Sequence, residues 1–290
     1  MDNRLNIKYT QNFIQKQSLV RQLLEKYGNI TNEDLVVEIG GGRGAITLEL
    51  GKIAKQVIAY ELDFGIYKAL AEKIKDREIN NIVVKNEDFL EAKLNTLTKF
   101  KVFSNIPFFL TADIIRKLLI DNSNLESACL FLENDAATRF IGQPYRKESL
   151  ISLIIKLNWE IKIVHNFKKT DFFPMPNTEV VLVKISKRAH NSINKFEFQD
   201  FLAYLFNERK ANIKQTLLSI FSFTQTKIIK NSLKLNWDQS ARDLHYEQWI
   251  EIFKIAKLHL DKEKLMLIKG SYQILNKNKD KQTKGKVLTF

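Results

Sequence analysis

The sequence has few of the residues that build disulfide-stapled or metal-dependent proteins. Cys129 is the single cysteine among 290 residues and lies in an apolar run. One cysteine cannot form a disulfide framework or a thiolate cluster, so we expect it to fill the core. The four histidines are scattered, and no two have the spacing of metal ligands on a helix. We therefore predict no metal site.

Long apolar runs are also missing. No stretch reaches the roughly 18 consecutive apolar residues that a membrane-spanning helix needs. Residues Met1 to Gln17 contain neither an apolar signal segment nor a small-residue cleavage site. Hydrophobic residues still make up 44% of the chain, which is enough for a substantial core. We expect a cytoplasmic, monomeric protein without a membrane partner.

Basic side chains outnumber acidic ones. The chain has 46 Lys and Arg against 33 Asp and Glu, a formal net charge of +13. Such an excess favours polyanionic partners. Charge alone does not choose between nucleic acid and an anionic membrane surface.

Seven short β-branched runs, separated by helical stretches, indicate an α/β fold. The runs are Leu35–Ile39, Val57–Tyr60, Ile82–Val84, Val102–Ser104, Ala128–Leu132, Ile161–Val164 and Val180–Val183. We predict a Rossmann-like, mostly parallel, seven-stranded sheet whose last two strands form an antiparallel edge pair.

A polar, basic run at residues 186–188 predicts a domain boundary. From Phe196 onward, apolar residues recur at three- and four-residue spacing, as in Phe198, Phe201 and Leu202 and again around Trp249. This spacing is typical of amphipathic helices. We predict a sheet domain over 1–187, an all-helical domain over 188–275, and a flexible lysine-rich tail over 276–290.

The strongest local motif is Glu38-Ile39-Gly40-Gly41-Gly42-Arg43-Gly44, which follows a strand and precedes an amphipathic helix. Gly40 and Gly42 allow a tight turn and a close approach of the backbone to a ligand, near the free amides of a helix N-terminus. The spacing differs from the dinucleotide pattern, and no phosphate-binding lysine follows. The motif predicts a polar ligand and argues against a nucleoside triphosphate and weakly against NAD.

Acidic residues follow the next two predicted strands. Glu61 can accept hydrogen bonds from both hydroxyls of a ribose. Asp88 can accept from the amino group of an adenine, and Phe89 can flank that base. Either acid alone could be a solvated loop residue, but the pair favours an adenosine-containing cofactor.

The fourth predicted strand ends in Asn105-Ile106-Pro107-Phe108. The Asn105 side-chain oxygen and the Ile106 carbonyl can accept from the amino group of a target adenine, Pro107 fixes the backbone, and Phe108 can stack on the base. The amine can attack a methyl sulfonium before losing its proton, so the reaction needs positioning more than a general base. Alone, these four residues could equally form a strand-ending turn.

Taken in order, these motifs resemble the ribosomal RNA adenine-N6 dimethyltransferases, and within them the Erm type. That type methylates 23S ribosomal RNA and confers resistance to macrolides, lincosamides and streptogramin B. The matching segments are Gln11–Ile14, Glu38–Gly44, Glu61, Asp88, Asn105–Phe108 and Phe172-Phe173-Pro174-Met175-Pro176. The resemblance covers residues 9 to 185 and a helical C-terminal region of the expected size.

The resemblance implies a class I methyltransferase domain, S-adenosylmethionine as cofactor and 23S ribosomal RNA as partner. It implies that Asn12 and Ile14 help to close the cofactor pocket, that Gly40 contacts the amino-acid portion of the cofactor and that Glu61 binds its ribose. It also implies that Asp88 holds the adenine of the cofactor and that Asn105 serves both cofactor and target. Gly42 and Phe89 are added as cofactor-binding residues from the residues themselves. Phe172 would stack on the flipped target adenine, opposite Phe108.

Phe108 departs from the family pattern, in which tyrosine is commoner, so no hydroxyl has a role here. The first alternative is the small-subunit (16S) ribosomal RNA dimethyltransferase, which shares fold and chemistry. Asn-Ile-Pro, rather than the Asn-Leu-Pro usual there, favours the large-subunit type. The second alternative, a non-catalytic RNA-binding relative, is disfavoured by the intact Asn105–Phe108 motif. A DNA adenine methylase would usually carry Asn-Pro-Pro-Tyr or Asp-Pro-Pro-Tyr, and both are absent.

Overall fold

The computed structural model describes residues 12–121, 124–189, 192–207 and 212–277. The chain divides into two compact units. The first comprises Met1–Thr138 and Trp159–Arg188, and the second comprises Arg139–Asn158 and Ala189–Phe290.

The first unit is built on a sheet of seven strands. The strands of the chain are β1 (Phe13–Ile14), β2 (Leu35–Ile39), β3 (Gln56–Tyr60), β4 (Ile82–Lys85), β5 (Phe100–Asn105), β6 (Leu125–Glu133), β7 (Trp159–Asn166), β8 (Phe172–Phe173) and β9 (Val180–Lys187). The sheet has the order β4-β3-β2-β5-β6-β9-β7, and all pairings are parallel except those of β9, which is antiparallel to β6 and β7. The seven strands predicted from the sequence are confirmed.

The helices of the described chain lie between these strands and after the last one. They are α1 (Gln17–Leu23), α2 (Thr47–Leu50), α3 (Phe64–Asp76), α4 (Thr111–Leu119), α5 (Asn134–Ile141), α6 (Leu150–Lys156), α7 (Lys195–Asn207), α8 (Ile213–Leu218), α9 (Phe223–Leu233), α10 (Tyr246–His259) and α11 (Lys262–Ile268). None of them is long and apolar enough to cross a membrane.

The central strands are apolar on both faces because helices cover the parallel sheet on both sides. Val36 and Val37 of β2 are both fully buried. Ser104 connects β2 to β5, since its hydroxyl accepts from the Ile39 amide at 3.1 Å and donates to the Ile39 carbonyl at 2.6 Å. This pair of hydrogen bonds brings the carboxyl ends of the two strands to the same level.

The strand order reverses between β2 and β5. From β2 the chain continues outward through β3 and β4 and then returns to β5 on the other side of β2. Ligands of open α/β sheets bind in the crevice outside the strand ends at such a reversal. The glycine motif follows β2 and Asn105 ends β5, so both lie at this crevice.

A second, two-stranded sheet was not predicted. β1 pairs with β8 in antiparallel register, Phe13 with Phe173 and Ile14 with Phe172. Ile14 and Phe172 are buried in the core of the first unit. Strands of two residues have no detectable alternation, so only the long-range pairing defines them.

Helices form the second unit, as the three- and four-residue spacing predicted. Phe198 and Phe201 of α7 meet Phe253 of α10 edge to face, with ring centroids 5.3 Å apart in both pairs. Phe201 also lies edge-on to Trp249, at 6.5 Å. These aromatic contacts join the first and the fourth helix after residue 188 into one core.

The single predicted boundary at 187/188 omits one segment. Residues 139–158, which we placed in the sheet domain, group with the second unit. The Glu148 amide donates to the Arg242 carbonyl at 2.8 Å, and the Lys147 ammonium lies 2.8 Å from the Asp243 carboxylate. These bonds join residues about a hundred positions apart and have no local sequence signal. Of the predicted tail, residues 278–290 lie outside the described residues.

Candidate functional site

A cavity lies at the carboxyl ends of β2, β3, β4 and β5 in the first unit. Ten of the predicted site residues line it, namely Asn12, Gly40, Gly42, Glu61, Asp88, Phe89, Asn105, Ile106, Pro107 and Phe108. Leu62, Leu90 and Leu110 also line it and were not predicted. Each of these leucines lies within two positions of a predicted site residue. This proximity in the sequence is the feature that could have identified them.

The glycine motif forms the floor of this cavity. Gly40 and Gly42 have φ angles of +77° and +54°, a region that side chains disfavour. The Gly40 and Gly41 amides both donate to the Tyr60 carbonyl, at 2.8 and 3.1 Å. A Cβ on Gly42 would lie 3.1 Å from the Phe13 ring. The backbone conformation therefore favours glycine at both positions, and at Gly42 a side chain would also press on the Phe13 ring.

Glu61 is buried at the end of β3. Its Oε2 accepts from the Gly42 amide at 2.9 Å and its Oε1 from the Asp63 amide at 3.0 Å. Burial raises the pKa of this carboxyl, and the two amide bonds oppose that rise. Each oxygen has a second lone pair, so the carboxylate can still accept from a pair of ligand hydroxyls.

The loop after β4 forms one side of the cavity. The Asp88 Oδ1 accepts from the Leu90 amide at 2.8 Å. The buried Phe89 ring lies edge-on to Tyr60 at 5.6 Å. The Asn86 amide group donates to the Glu61 carbonyl at 2.8 Å and connects this loop to the end of β3. These contacts place a carboxylate and a ring together, as a bound adenine requires.

The segment after β5 is a short, rigid turn. The Asn105 side-chain amide donates to the Asn12 carbonyl at 2.6 Å. Within the described chain no group donates to the Asn105 Oδ1. The Thr111 hydroxyl donates to the Phe108 carbonyl at 2.7 Å and closes the turn that carries Phe108. The Asn105 side-chain nitrogen is therefore hydrogen-bonded, and its Oδ1 can accept a hydrogen bond from a ligand.

A second cavity, of about 420 Å³, adjoins the first in the same unit. The two share four lining residues, Phe13, Gly40, Gly42 and Asn105. Ile14, the eleventh predicted site residue, lines this second cavity. Arg43 lines it too, with its guanidinium 5.3 Å from the centroid of the Phe13 ring.

Glu38 is a residue of the second cavity to which the sequence assigned no role. The residue is 1% exposed, and its Oε2 has no hydrogen-bond partner in the part of the chain that the structure describes. Burial raises the pKa of this carboxyl well above its ordinary value, and the nearby Glu61 adds to the rise, whereas Thr47 opposes it. A buried, unsatisfied carboxyl beside a cavity matches a cationic ligand group. The sequence feature that could have identified Glu38 as a site residue is its position at the start of the glycine motif.

Phe172 does not lie where the stacking role requires. Its side chain is 1% exposed and packs edge-on to Phe167 at 5.2 Å in the core, and it lines neither cavity. Phe173 is 59% exposed and lines the second cavity. Successive side chains of a strand point to opposite sides, and of the two rings of β8 only Phe173 lines the cavity.

Comparison with known proteins gives the family. A family model described as ribosomal RNA adenine dimethylase matches residues 2–258. A probable ribosomal RNA small subunit methyltransferase A of Methanococcus maripaludis is 31% identical over 254 residues, which is 87% of this chain and 92% of that protein. The ribosomal RNA small subunit methyltransferase A of Mycoplasma mobile is 29% identical over 258 residues, covering 87% and 96%.

Solved structures share the fold. The 23S rRNA methyltransferase ErmE has a TM-score of 0.76 at 23% identity and covers 85% of this chain and 100% of its own. A dimethyladenosine transferase from Plasmodium falciparum has a TM-score of 0.70 at 18% identity, covering 86% and 98%. With the match over residues 2–258, this chain belongs to the ribosomal RNA adenine dimethylase family of S-adenosylmethionine-dependent methyltransferases.

Proposed function

We propose that this chain transfers methyl groups to the N6 amine of an adenine in small-subunit ribosomal RNA. The relatives quoted above carry small-subunit names and span most of this chain. The observation that carries the chemistry is the position of Asn105 in the wall common to both cavities. One side chain there can contact both a cofactor and a target base.

The first cavity is the proposed site of the cofactor's adenosine. Glu61 would accept from the ribose hydroxyls, while Asp88 and Phe89 would hold the adenine. Asn12 is fixed against Asn105 by the 2.6 Å hydrogen bond and would close the pocket from the N-terminal side. S-adenosylmethionine supplies an electrophilic methyl group on a positively charged sulfur.

The second cavity matches the amino-acid end of the same cofactor. Gly40 and Gly42 present backbone without side chains, so a ligand can lie directly on the loop. The unpartnered Glu38 oxygen would accept from the α-ammonium group. Ile14 would pack beside it from β1. The residues present therefore suit the two ends of S-adenosylmethionine.

The target amine would be held by Asn105 and Ile106. The Asn105 Oδ1 and the Ile106 carbonyl would accept its two hydrogens and keep its lone pair directed at the methyl group. Since the lone pair attacks first, the chain needs no strong base there. Fixed acceptors in a sheltered cavity stabilise the developing positive charge on that nitrogen.

Two rings are available to hold the flipped adenine. Phe108 lines the first cavity and Phe173 lines the second. We assign the stacking position opposite Phe108 to Phe173, because Phe172 is in the core. Proline at 107 restricts the backbone that carries Phe108, so little conformational freedom is lost on binding.

A second candidate target is 23S ribosomal RNA. The Asn105-Ile106-Pro107 sequence favours it, since small-subunit enzymes usually carry leucine at the middle position. The structural likeness to ErmE shows the shared fold and does not separate the two targets.

Primer extension on both ribosomal RNAs tests the proposal. We expect cells expressing the wild type to show a strong stop in small-subunit RNA, because a dimethylated adenine blocks pairing. Asn105→Ala at matched expression should remove that stop, with methyl transfer in vitro slowed about 100-fold or more. Asn231→Ala, an exposed change in the second unit, is the matched control.

The alternative outcomes are distinct. A stop in large-subunit RNA, together with resistance to macrolides, lincosamides and streptogramin B, would assign the second candidate. No stop in either RNA, from folded protein that binds S-adenosylhomocysteine, would refute both.

A further inference from the structure

Trp237 differs from the other two tryptophans. Trp159 and Trp249 are 3% and 0% exposed, whereas Trp237 is only half-buried. It lies in the second unit, in the turn that follows α9. Part of this indole is therefore accessible to a ligand from solvent.

Hydrogen bonds fix the backbone of the turn that carries Trp237. Asn236 accepts from the Asp238 amide at 3.1 Å through its side chain and from the Gln239 amide at 3.3 Å through its carbonyl. The Ile213 amide donates to the Gln239 carbonyl at 2.8 Å, which ties the turn to the start of α8. The backbone that carries the ring therefore loses little conformational entropy when the ring binds a partner.

Two lysines accompany this ring. The Lys214 ammonium of α8 lies 6.0 Å from the ring centroid and that of Lys230 of α9 lies 5.6 Å from it. Neither lysine forms a salt bridge with any described carboxylate. Residues 212–237 contain four lysines and no Asp or Glu, and the first acid after them is Asp238. The flexible lysine stems let both ammonium groups move from the ring to a phosphate.

We infer that Trp237, Lys214 and Lys230, here called the Trp237 cluster, bind an unpaired nucleotide of RNA. The base stacks on the indole, and the lysines contact the flanking phosphates. Stacking on an aromatic residue tolerates any base, and ammonium groups supply the electrostatic attraction. The inference rests on the proposal that the substrate is RNA and adds a contact that the methyl-transfer site does not include. A protein partner would need an apolar groove or complementary acids, whereas four lysines that form no salt bridge with a described carboxylate favour a polyanion.

Tryptophan fluorescence of the full chain tests this inference. Because the other two indoles are buried, a ligand that stacks on Trp237 will quench that ring alone. We expect a short, unstructured RNA oligonucleotide to quench the emission and a duplex of the same length to quench it much less. Trp237→Phe should abolish the quenching and keep the RNA affinity, whereas Trp237→Ala should weaken RNA binding about ten-fold.

Lys230→Gln and Lys227→Gln form a matched pair on α9. Lys227 is exposed on the same helix and has no described contact with the ring. In a plot of the logarithm of RNA affinity against the logarithm of salt concentration, Lys230→Gln should reduce the slope by about 1, because one phosphate contact is lost. Lys227→Gln should change that slope less. Equal losses in the two variants, or normal RNA affinity of Trp237→Ala, would overturn the inference.

Binding of S-adenosylhomocysteine shows that the first unit of each variant is folded, and an unchanged helical content and Tm by circular dichroism show the same for the second unit, which carries the substitutions. The fluorescence and affinity measurements report RNA binding and do not depend on methyl transfer. The Trp237 cluster and the proposed methylation can therefore be refuted independently of each other. Methylation of ribosomal RNA with unchanged binding by Trp237→Ala would refute the Trp237 cluster alone. Weakened binding by Trp237→Ala without methylation of either ribosomal RNA would refute the proposed function alone.

Discussion

At the residue scale, Glu38 shows how a binding site can lower the stability of the free protein. A carboxyl that is 1% exposed, with one oxygen unpartnered, opposes folding once it ionises. Burial disfavours the ionised carboxyl, and for the same reason it raises the pKa of Glu38. In the proposed site a ligand ammonium would supply the missing partner, so binding of the cofactor would offset this loss of stability.

Glu38→Gln should therefore stabilise the free chain at alkaline pH. A carboxyl with a raised pKa in the folded state contributes stability below its unfolded pKa and loses it as pH rises through the folded pKa. The neutral amide of Glu38→Gln does not ionise and loses no stability in this way. The difference in unfolding free energy between the variant and the wild type should therefore increase with pH. A difference of about 1 kcal/mol would raise the Tm by roughly 2–4 °C, measured by thermal denaturation at several pH values.

The same variant should bind the cofactor less selectively. Wild type should prefer S-adenosylhomocysteine over its analogue without the amino group by about ten-fold or more, as expected for a buried charged hydrogen bond. Glu38→Gln should lose most of that preference in calorimetry. An unchanged preference would show that the ammonium binds elsewhere.

At the scale of single elements, β8 decides which of two adjacent phenylalanines faces the cavity. The motif match pointed to Phe172, while the pairing with β1 turns that ring inward and Phe173 outward. The local sequence could not have shown which ring faces the cavity, because both residues of β8 are phenylalanine. The physical determinant is the register with the distant β1, in which Ile14 partners Phe172, because register gives each side chain its face.

Substitutions at these two positions should separate activity from stability. Phe173→Ala should slow methyl transfer about ten-fold or more, because a stacking face is lost, with little change in the unfolding free energy. Phe172→Leu should lower the unfolding free energy by about 1 kcal/mol and retain activity per folded molecule.

Single-turnover kinetics and denaturant unfolding measure these two quantities. Normal kinetics in Phe173→Ala, with loss of activity in a fully folded Phe172→Leu, would restore the stacking role to Phe172.

At the scale of the whole molecule, the net charge of +13 makes RNA binding electrostatic. Cations released from phosphates make affinity fall steeply with salt; six to ten phosphate contacts would cost about 10³–10⁵-fold between 50 and 200 mM. Binding of S-adenosylhomocysteine should change little over the same range. Filter binding and calorimetry in matched buffers would compare them, and an RNA affinity insensitive to salt would contradict an electrostatic interface.

Much of the architecture was predictable from local patterns. Parallel strands that are buried on both faces are mostly apolar, so β2, β3 and β5 appear in the sequence as apolar runs. A glycine-rich turn after one strand and an acid at the end of the next are typical of a site that binds a ribose-containing cofactor. Ten of the predicted site residues line one cavity for this reason.

The sequence by itself determined the fold class, the family and the residues at the ends of the parallel strands, because each depends on short-range periodicity or on a contiguous motif. Only the tertiary structure decided that residues 139–158 join the helical unit, that Phe173 rather than Phe172 faces the cavity, and that one oxygen of Glu38 has no partner among the described residues. Those outcomes depend on pairings between distant segments and on burial by the completed fold. Such interactions are absent from any local stretch of the chain and arise only when the packed elements meet.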